Sequence, residues 1–257
     1  MTSAPRLATV GSLLLAAVFA IPVLALIVQA FADEWRAPAL IPQQLGFRGF
    51  HDAFADGGAL AALANSLLIA VATTVLSLLL GWPAARVLGE RRLRHPAPVF
   101  LLLALPLLVP ALATGTGLTE WFIHLNLVET RAGIVLAHLT VVLPYVVLVL
   151  TAAFSRRLTE LEDMATAMGW SPARRLLAVT IPSVRPTLAA AALLGFLVSW
   201  GQYGTSLAVG GGLATLPIAL LPYVSSDPEV AAALAMLFLA PAVAALAAAT
   251  RLGRPGL

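Results

Sequence analysis

The stretch LTELEDMATAMGWSPARRLLAVTIPSVRP, residues 158–186, is a polar segment inside an otherwise apolar chain. Four long uncharged stretches precede it and two follow it. Within it, apolar residues recur at helical spacing, and Gly169 and Pro172 interrupt the pattern. The segment therefore predicts an amphipathic helical hairpin between membrane-spanning helices, available to a soluble partner.

Composition places the chain among integral membrane proteins. Of its 257 residues, 60% are hydrophobic and 11% are charged, and the mean hydropathy is +0.96. A helix of roughly 20 residues crosses a hydrocarbon core about 30 Å thick. The uncharged stretches predict an all-α membrane protein with one transmembrane domain, residues 1–257, and an irregular loop over residues 210–226. Six spans are predicted at residues 8–31, 63–85, 97–119, 132–154, 187–209 and 230–250, with the hairpin in the loop 155–186.

The arginines predict the orientation of these spans, since the chain contains no lysine. The loops 85–97 and 155–186 are rich in arginine, whereas the alternate loops are richer in acidic residues. By the positive-inside rule, both termini and the hairpin are cytoplasmic. The net charge of +3 is then a topology signal, and no nucleic-acid partner is expected. The arginines predicted on the cytoplasmic side are Arg6, Arg86, Arg91, Arg92, Arg94, Arg156, Arg157, Arg174, Arg175, Arg185, Arg251 and Arg254. The acidic residues predicted on the opposite side are Asp33, Glu34, Asp52, Asp56, Glu120, Glu129, Asp227 and Glu229.

One alternative concerns the first span. The sequence Ala30-Phe31-Ala32 resembles a signal-peptidase site, but the apolar stretch before it is longer than the usual 7–15 residues of a signal peptide. The first span is therefore expected to be retained. The absence of cysteine excludes disulfides, thiolate metal sites and cysteine catalysis.

The hairpin carries local helix signals. Thr159 and Glu162 have the spacing of a capping box. Gly169 is placed to end the first helix in a left-handed conformation, and Ser171-Pro172 is an N-cap followed by proline at the first helical position. Pro182 is expected to limit the second helix. One apolar stripe is predicted on the first helix, formed by Leu161, Met164, Ala165 and Met168. An ordinary amphipathic helix pair lying on the lipid surface is the alternative interpretation.

The same residues resemble the EAA loop of binding-protein-dependent ABC importer permeases. The pattern of that loop is E-A-A, three residues, G, nine residues and I-x-L-P. Here Asp163-Met164-Ala165 stands for E-A-A, Gly169 has the required spacing, and Val179 to Pro182 close the pattern. The likeness extends from about residue 60 to 250, through Asn65-Ser66-Leu67-Leu68, Pro144-Tyr145 and Thr215-Leu216-Pro217.

This resemblance implies a transmembrane permease subunit of an ABC importer in the bacterial cytoplasmic (inner) membrane. In that family, two permeases form the path, two cytoplasmic ATPases bind ATP and Mg²⁺, and an extracytoplasmic binding protein delivers the substrate. A heterodimer with a related permease is favoured over a homodimer. The residues expected to serve ATPase coupling are Glu162, Asp163, Ala165, Gly169, Pro172 and Pro182.

No catalytic, metal or cofactor site is expected in this chain itself. A phosphate-binding G-x-x-x-x-G-K-[ST] loop requires a lysine, which is missing. A secondary transporter or channel-like protein without an ATPase is the alternative, but the predicted spans contain no Asp, Glu or Arg for ion coupling. An intramembrane enzyme could be drawn around Ser206 and His138, although such residues more often pack helices or line pores.

Polar residues within the spans predict the translocation path. They are Asn65, Gln202, Tyr203, Thr205 and Ser206. Interhelical hydrogen bonding is an equally good interpretation of them. None of the five is charged, and the likeness favours a small polar solute of the polyamine, iron, thiamine or oxyanion type over sugars.

Overall fold

A computed structural model describes residues 4–36, 38–55 and 58–253, without the side chains of residues 4–10 and Leu13. Asp56, Arg254 and the Arg6 side chain, used in the charge argument, lie outside the described residues. The fold is helical, as predicted, with one small addition: strands β1 (Ala32–Glu34) and β2 (Gln44–Leu45) pair antiparallel after the first helix. The helices up to the hairpin are α1 (Ala4–Ala30), α2 (Arg48–Ala55), α3 (Gly58–Gly89), α4 (Ala97–Leu108), α5 (Ala111–His124) and α6 (Arg131–Thr151). Those that follow are α7 (Arg156–Ala167), α8 (Pro172–Arg175), α9 (Ile181–Trp200), α10 (Gly204–Gly210), α11 (Leu216–Leu220), α12 (Tyr223–Ser226) and α13 (Pro228–Leu252), with a π-helical turn at Leu176–Thr180.

Among the described residues, four helices are long and apolar enough to cross a membrane: Gly58–Gly89, Arg131–Thr151, Pro172–Trp200 and Pro228–Leu252. The pair α4 and α5 makes a fifth if the two are counted as one bent span. In α1, the apolar part with described side chains, Leu14–Ala30, is shorter than these.

The chain divides into two compact units. The first ends at Ala61 and includes Ala219–Ala240, and the second comprises Ala62–Ile218 and the segment from Pro241. In the first unit, the ring of Phe31 packs against Phe47 and Phe50, with centroids 5.5 and 5.3 Å apart. These contacts hold the end of α1 against the start of α2.

The core of the second unit is formed by one face of α6. Val142, Val146 and Leu150 recur every four residues and are buried, as expected for one face of a helix. They belong to one cluster with Val184 and Ala191 of α9. Phe154 closes the cluster below α6, where its ring meets Trp82 of α3 edge to face at 5.1 Å. The start of the hairpin is therefore anchored on a packed core.

The third predicted span, 97–119, is not one straight helix. The chain bends by 99° between α4 and α5. Val109 has φ −93° and ψ 133°, an extended conformation. A residue that precedes a proline is disfavoured in the α conformation, and Pro110 follows here. The proline therefore gives the bend a local cause.

The fifth predicted span, 187–209, is also divided, because α9 ends at Trp200 and α10 begins at Gly204. Helix α10 packs against α5. A Cβ on Gly204 would lie 2.7 Å from the backbone nitrogen of Leu112, so only glycine permits this approach. The residues after α10, predicted as an irregular loop, contain the short helices α11 and α12.

The predicted limit at Pro182 is wrong, because helix continues from Pro172 to Trp200. Pro182 lies in the first turn of α9, directly after the π-helical turn Leu176–Thr180. A proline in a helix lacks the N–H that would bond to the preceding turn, and a π-helical turn locally resets the hydrogen-bond register. The loop 155–186 is accordingly shorter than predicted, and its second half is the beginning of a long helix.

Candidate functional sites in the hairpin and the membrane interior

The first helix of the hairpin does not begin with the predicted capping box. Helix α7 starts at Arg156 after Ser155, whose side chain makes no capping hydrogen bond. Thr159 lies inside the helix, and Glu162 is 5% exposed. The carboxylate of Glu162 is therefore turned into the protein instead of back towards the helix start.

Glu162 joins three segments of the second unit. Its two carboxylate oxygens accept hydrogen bonds from Arg86 Nη2 of α3 and from Thr180 Oγ1 of the π-helical turn. Arg86 Nε also donates to Glu90 Oε1 at 2.6 Å, and Arg92 pairs with the other oxygen of Glu90. We call Arg86, Glu90, Arg92, Glu162 and Thr180 the Arg86 network. Buried charges need such paired and hydrogen-bonded surroundings, so the network ties α7 to the end of α3 and to the start of the long helix.

The turn after α7 follows the sequence prediction closely. Gly169 has φ +77°, the left-handed conformation that glycine adopts without steric cost. Its N–H donates to the carbonyl of Thr166 at 2.9 Å, and the N–H of Trp170 donates to the carbonyl of Ala165 at 3.1 Å. This pair of bonds is a Schellman motif. No atom lies within 4 Å of the position a Gly169 Cβ would take.

The second helical segment also begins as predicted. Ser171 is the N-cap, with its Oγ accepting a hydrogen bond from the N–H of Arg174 at 3.3 Å, and Pro172 occupies the first turn. The guanidinium of Arg174 lies over the ring of Trp170, 4.4 Å from its centroid. The end of α7 and the start of α8 are thus both capped by local hydrogen bonds.

The outer face of α7 differs from the predicted apolar stripe. Ala165 is buried, whereas Met164 and Met168 are 58% and 66% exposed. Asp163 is exposed as well. The six predicted coupling residues therefore separate into an inner pair, Glu162 and Ala165, and an exposed group, Asp163, Gly169, Pro172 and Pro182.

A buried polar cluster lies at the break between α9 and α10. His138 of α6 has its Nδ1 2.8 Å from Ser199 Oγ and its Nε2 2.8 Å from Ser206 Oγ. Ser206 Oγ donates its proton to the carbonyl of Gln202 at 3.1 Å. Because a hydroxyl has one proton, His138 Nε2–H must then donate to Ser206, and Nδ1 accepts from Ser199.

Sequence reasoning named Ser206 and Gln202 but missed Ser199 and the central place of His138. A polar side chain in an apolar span needs polar partners, and this rule could have indicated that His138 has them without saying which residues they are. His138 and Ser206 are both buried, and their hydrogen bond joins α6 to α10. Within the described residues, no group of three His, Cys, Asp or Glu is arranged to hold a metal ion.

The other predicted path residues occupy different surroundings. Thr205 is buried, and its Oγ1 has no hydrogen-bond partner in the described part of the chain. Tyr203 is partly exposed. Asn65 forms hydrogen bonds with a different set of residues. Its side-chain amide donates to the carbonyl of Ala214 at 3.1 Å and accepts from Arg131 Nε at 3.0 Å. Gln202 to Ser206 thus form one local group, while Asn65 joins α3 to the loop before α11 and to α6.

A second arginine cluster, in the first unit, was not predicted. Arg48 of α2 makes two hydrogen bonds to Asp227, at 2.7 and 3.1 Å, and lies 3.5 Å from Glu229. Its backbone N–H donates to Asp33 Oδ1 at 2.8 Å. We call Arg48, Asp33, Asp227 and Glu229 the Arg48 cluster. The hydrogen bond from Arg48 lowers the pKa of Asp227 below its usual value, and the same bond raises the pKa of Arg48.

Comparisons with known proteins agree on one class of protein. No family model matches the chain. It is 32% identical over 192 residues to the molybdenum transport system permease protein ModB of Mycobacterium tuberculosis, covering 68% of this chain and 73% of that protein. It is 29% identical over 192 residues to the trehalose transport system permease protein SugB of the same organism, covering 73% and 69%.

A solved structure shows the same fold. It is the crystal structure of a bacterial ABC transporter involved in the import of the acidic polysaccharide alginate. The match has a TM-score of 0.77 at 17% identity and covers 98% of both chains. This likeness concerns the arrangement of the helices.

Proposed function

This chain belongs to the permeases of ABC transporters, and we propose that its hairpin couples it to cytoplasmic ATPase subunits that bind ATP and Mg²⁺. The observation that carries this proposal is the division of α7 into two faces. The inner face is bonded through Glu162 to two membrane helices. The exposed residues of α7 include Met164, Met168 and the charged Asp163. A force applied to the outer face would therefore reach the spans through the Arg86 network.

Exposed methionines suit the docking surface, because their flexible apolar side chains adapt to a partner. Gly169 and Pro172 keep the turn compact, and Pro182 lies further along the long helix, in the first turn of α9. Ala165 is buried beneath the surface and supports it instead of contacting the partner. An amphipathic pair lying on lipid would need neither the ion pair of Glu162 with Arg86 nor its hydrogen bond from Thr180, and this favours the coupling role.

The proposed topology has six spans in one transmembrane domain and both termini in the cytoplasm. In this arrangement α1 is the first span, the bent pair α4 and α5 is the third, and the helix from Pro172 with α10 is the fifth. Broken helices are tolerated within membranes where the free backbone groups are buried in protein or line a cavity. The positive-inside rule places Arg91, Arg94 and the hairpin in the cytoplasm.

The proposed assembly has two permeases, two ATPases and an extracytoplasmic binding protein, and we favour a heterodimer of permeases. The group Gln202 to Ser206 and Asn65 are the proposed polar contacts of the path. The substrate of this path is proposed to be a small oxyanion, a class supported by a molybdate/tungstate permease among the relatives, although the trehalose permease shows how far substrates diverge on one fold.

Charge reversal on the outer face tests ATPase coupling. Asp163→Lys leaves the Arg86 network intact, since Asp163 is exposed. We expect normal membrane levels and unfolding temperature, with loss of ATPase co-purification and of substrate-stimulated ATP hydrolysis. Glu120→Lys, another exposed carboxylate change, is the matched control on the predicted opposite side. Unchanged co-purification and stimulated hydrolysis in Asp163→Lys would refute the docking surface.

The topology is tested by labelling single cysteines, because the native chain has none. Ser226→Cys should react with an impermeant maleimide from outside intact cells, whereas Arg94→Cys should react only after the membrane is opened. Both side chains are exposed in the structure. The reverse labelling pattern would invert the proposed orientation and remove the hairpin from the ATPase side.

A further inference from the structure

A large cavity lies beside the hairpin, at the ends of α3 and α6. Its volume is about 1170 Å³. Its walls come from the loop between α3 and α4, the start of α4, the end of α6 and the first residues of α7. Helices α3 and α6 are long and apolar enough to cross a membrane and both end here, so the proposed topology puts the cavity at the membrane boundary.

Positive charge dominates the polar lining of this cavity. Three arginines, Arg91, Arg92 and Arg156, line it against one carboxylate, Glu90. Glu90 is 6% exposed at its side chain, and both of its oxygens are already paired with arginines. The negative charge of Glu90 is thus already balanced by Arg86 and Arg92 within the Arg86 network.

Two of the three arginines are available to a ligand. Arg91 makes no ion pair within the described residues. Arg156 has a side chain that is 93% exposed, and its pair with Glu160 at 3.2 Å is also exposed. Exposed pairs of this kind contribute little, so Arg156 can exchange Glu160 for a stronger anionic partner. Guanidinium groups bind phosphate with two parallel hydrogen bonds.

The remaining lining is apolar. Leu88, Leu93 and Phe100 line the same cavity, and the ring of Phe100 is partly exposed. Arginines beside apolar walls at a membrane boundary match a molecule with a phosphate and hydrocarbon chains. We propose that this cavity binds an anionic phospholipid, with its phosphate held by Arg91 and Arg156 and its glycerol and upper acyl chains against Leu88, Leu93 and Phe100. This assignment does not depend on ATPase coupling or on the transported substrate.

The binding is tested with the purified full-length chain in detergent. Dioleoylphosphatidylglycerol is titrated, and retained lipid is measured by native mass spectrometry together with the shift in unfolding temperature. Dioleoylphosphatidylcholine, which has a phosphate but no net charge, and soluble glycerol 3-phosphate are titrated in parallel. We expect phosphatidylglycerol to be retained in preference to phosphatidylcholine, and glycerol 3-phosphate to give no shift at the same concentration.

Arginine variants locate the site. Arg91→Gln and Arg156→Gln should each weaken phosphatidylglycerol binding about fivefold, the effect of removing one cation near an anionic lipid. Arg94→Gln is the matched control, since Arg94 is an exposed arginine of the same loop that does not line the cavity. Equal weakening by Arg94→Gln, or equal retention of the two lipids by the unmodified chain, would overturn the proposal. Equal stabilisation by glycerol 3-phosphate would assign the site to a free phosphate compound, and displacement of the lipid on adding the ATPase would assign the cavity to protein docking. The comparison of ligands on the unmodified chain decides the question even if a variant fails to fold.

Discussion

Arg86 and Arg48 both form ion pairs with carboxylates, but the carboxylates differ in their exposure to water. Each pairs with carboxylates that are distant in sequence, Arg86 with Glu162 across 76 residues and Arg48 with Asp227 across 179. The carboxylate of Glu162 is 6% exposed, whereas Asp227 is 29% exposed. Water screens the second pair far more than the first. An arginine–carboxylate pair is therefore expected to stabilise the fold more at Glu162, where the carboxylate is buried, than at Asp227, where it is partly exposed.

Of the changes to these two clusters, removal of the Glu162 carboxylate should lower the stability of the protein most. Glu162→Ala leaves the Arg86 charge and the Thr180 hydroxyl without their shared partner. Arg86 keeps its pair with Glu90, but the variant loses two hydrogen bonds to a charged group at a cost of roughly 3 kcal/mol, so we expect a large fall in unfolding temperature in detergent and loss of transport. Glu160→Ala, in the exposed pair with Arg156, is the control. Equal unfolding temperatures for the two variants would show that burial adds nothing at Glu162.

A change at Thr180 tests how much one hydrogen bond to the buried Glu162 carboxylate contributes to stability. Thr180→Val keeps the shape but removes the Oγ1 donor to Glu162. A hydrogen bond to a charged group contributes about 2 kcal/mol, so the expected loss in unfolding free energy is smaller than for Glu162→Ala. Thr180→Ser restores a hydroxyl and should recover most of the loss. If the serine variant is no more stable than the valine variant, the hydroxyl does not support the carboxylate.

Arg48→Gln should have a smaller effect than either change in the Arg86 network. The variant removes the paired hydrogen bonds to Asp227, in a cluster that remains partly exposed. We expect a loss of about 1 kcal/mol in unfolding free energy, the upper end for exposed pairs. Arg36→Gln, whose side chain is 81% exposed in its pair with Glu34, should change stability less. A loss from Arg48→Gln equal to that from Glu162→Ala would contradict the role assigned to water.

The smallest expected effect is the pH dependence of the Arg48 cluster. The bond from Arg48 lowers the pKa of Asp227 in the folded protein, so its contribution is fully present above the ordinary aspartate pKa of about 3.9 and is lost as the pH falls through the lowered value. The difference in unfolding temperature between the unmodified chain and Asp227→Asn should be constant from about pH 7 to 5 and shrink only below about pH 4. A difference that already disappears near pH 6 would show that the pKa is raised instead.

Local signals in the hairpin were read correctly because both partners lie within a few residues. The left-handed Gly169 and the Ser171-Pro172 helix start depend only on neighbouring backbone groups. Glu162 was misread because its carboxylate had a local candidate in the capping box and a distant one in Arg86. Sequence spacing favours the first, and only the packing of α7 against α3 selects the second. The sequence therefore did not predict that Glu162 and Ala165 are buried while Asp163 is exposed, and the coupling role of these residues stays a prediction.

The spans show the same division. Composition alone predicted a helical membrane protein, because long uncharged stretches must satisfy their backbone groups within lipid. Tertiary structure decided where those helices break and which polar groups meet. Pro182 remains inside a helix, the chain bends before Pro110, and α9 ends where Gly204 allows α10 to approach α5. The two hydrogen bonds of the His138 ring likewise depend on the fold, because only folding brings Ser199 and Ser206 to its two nitrogens. Hydropathy and helix caps are properties of short segments, whereas ion pairs and helix breaks depend on residues that only the fold brings together.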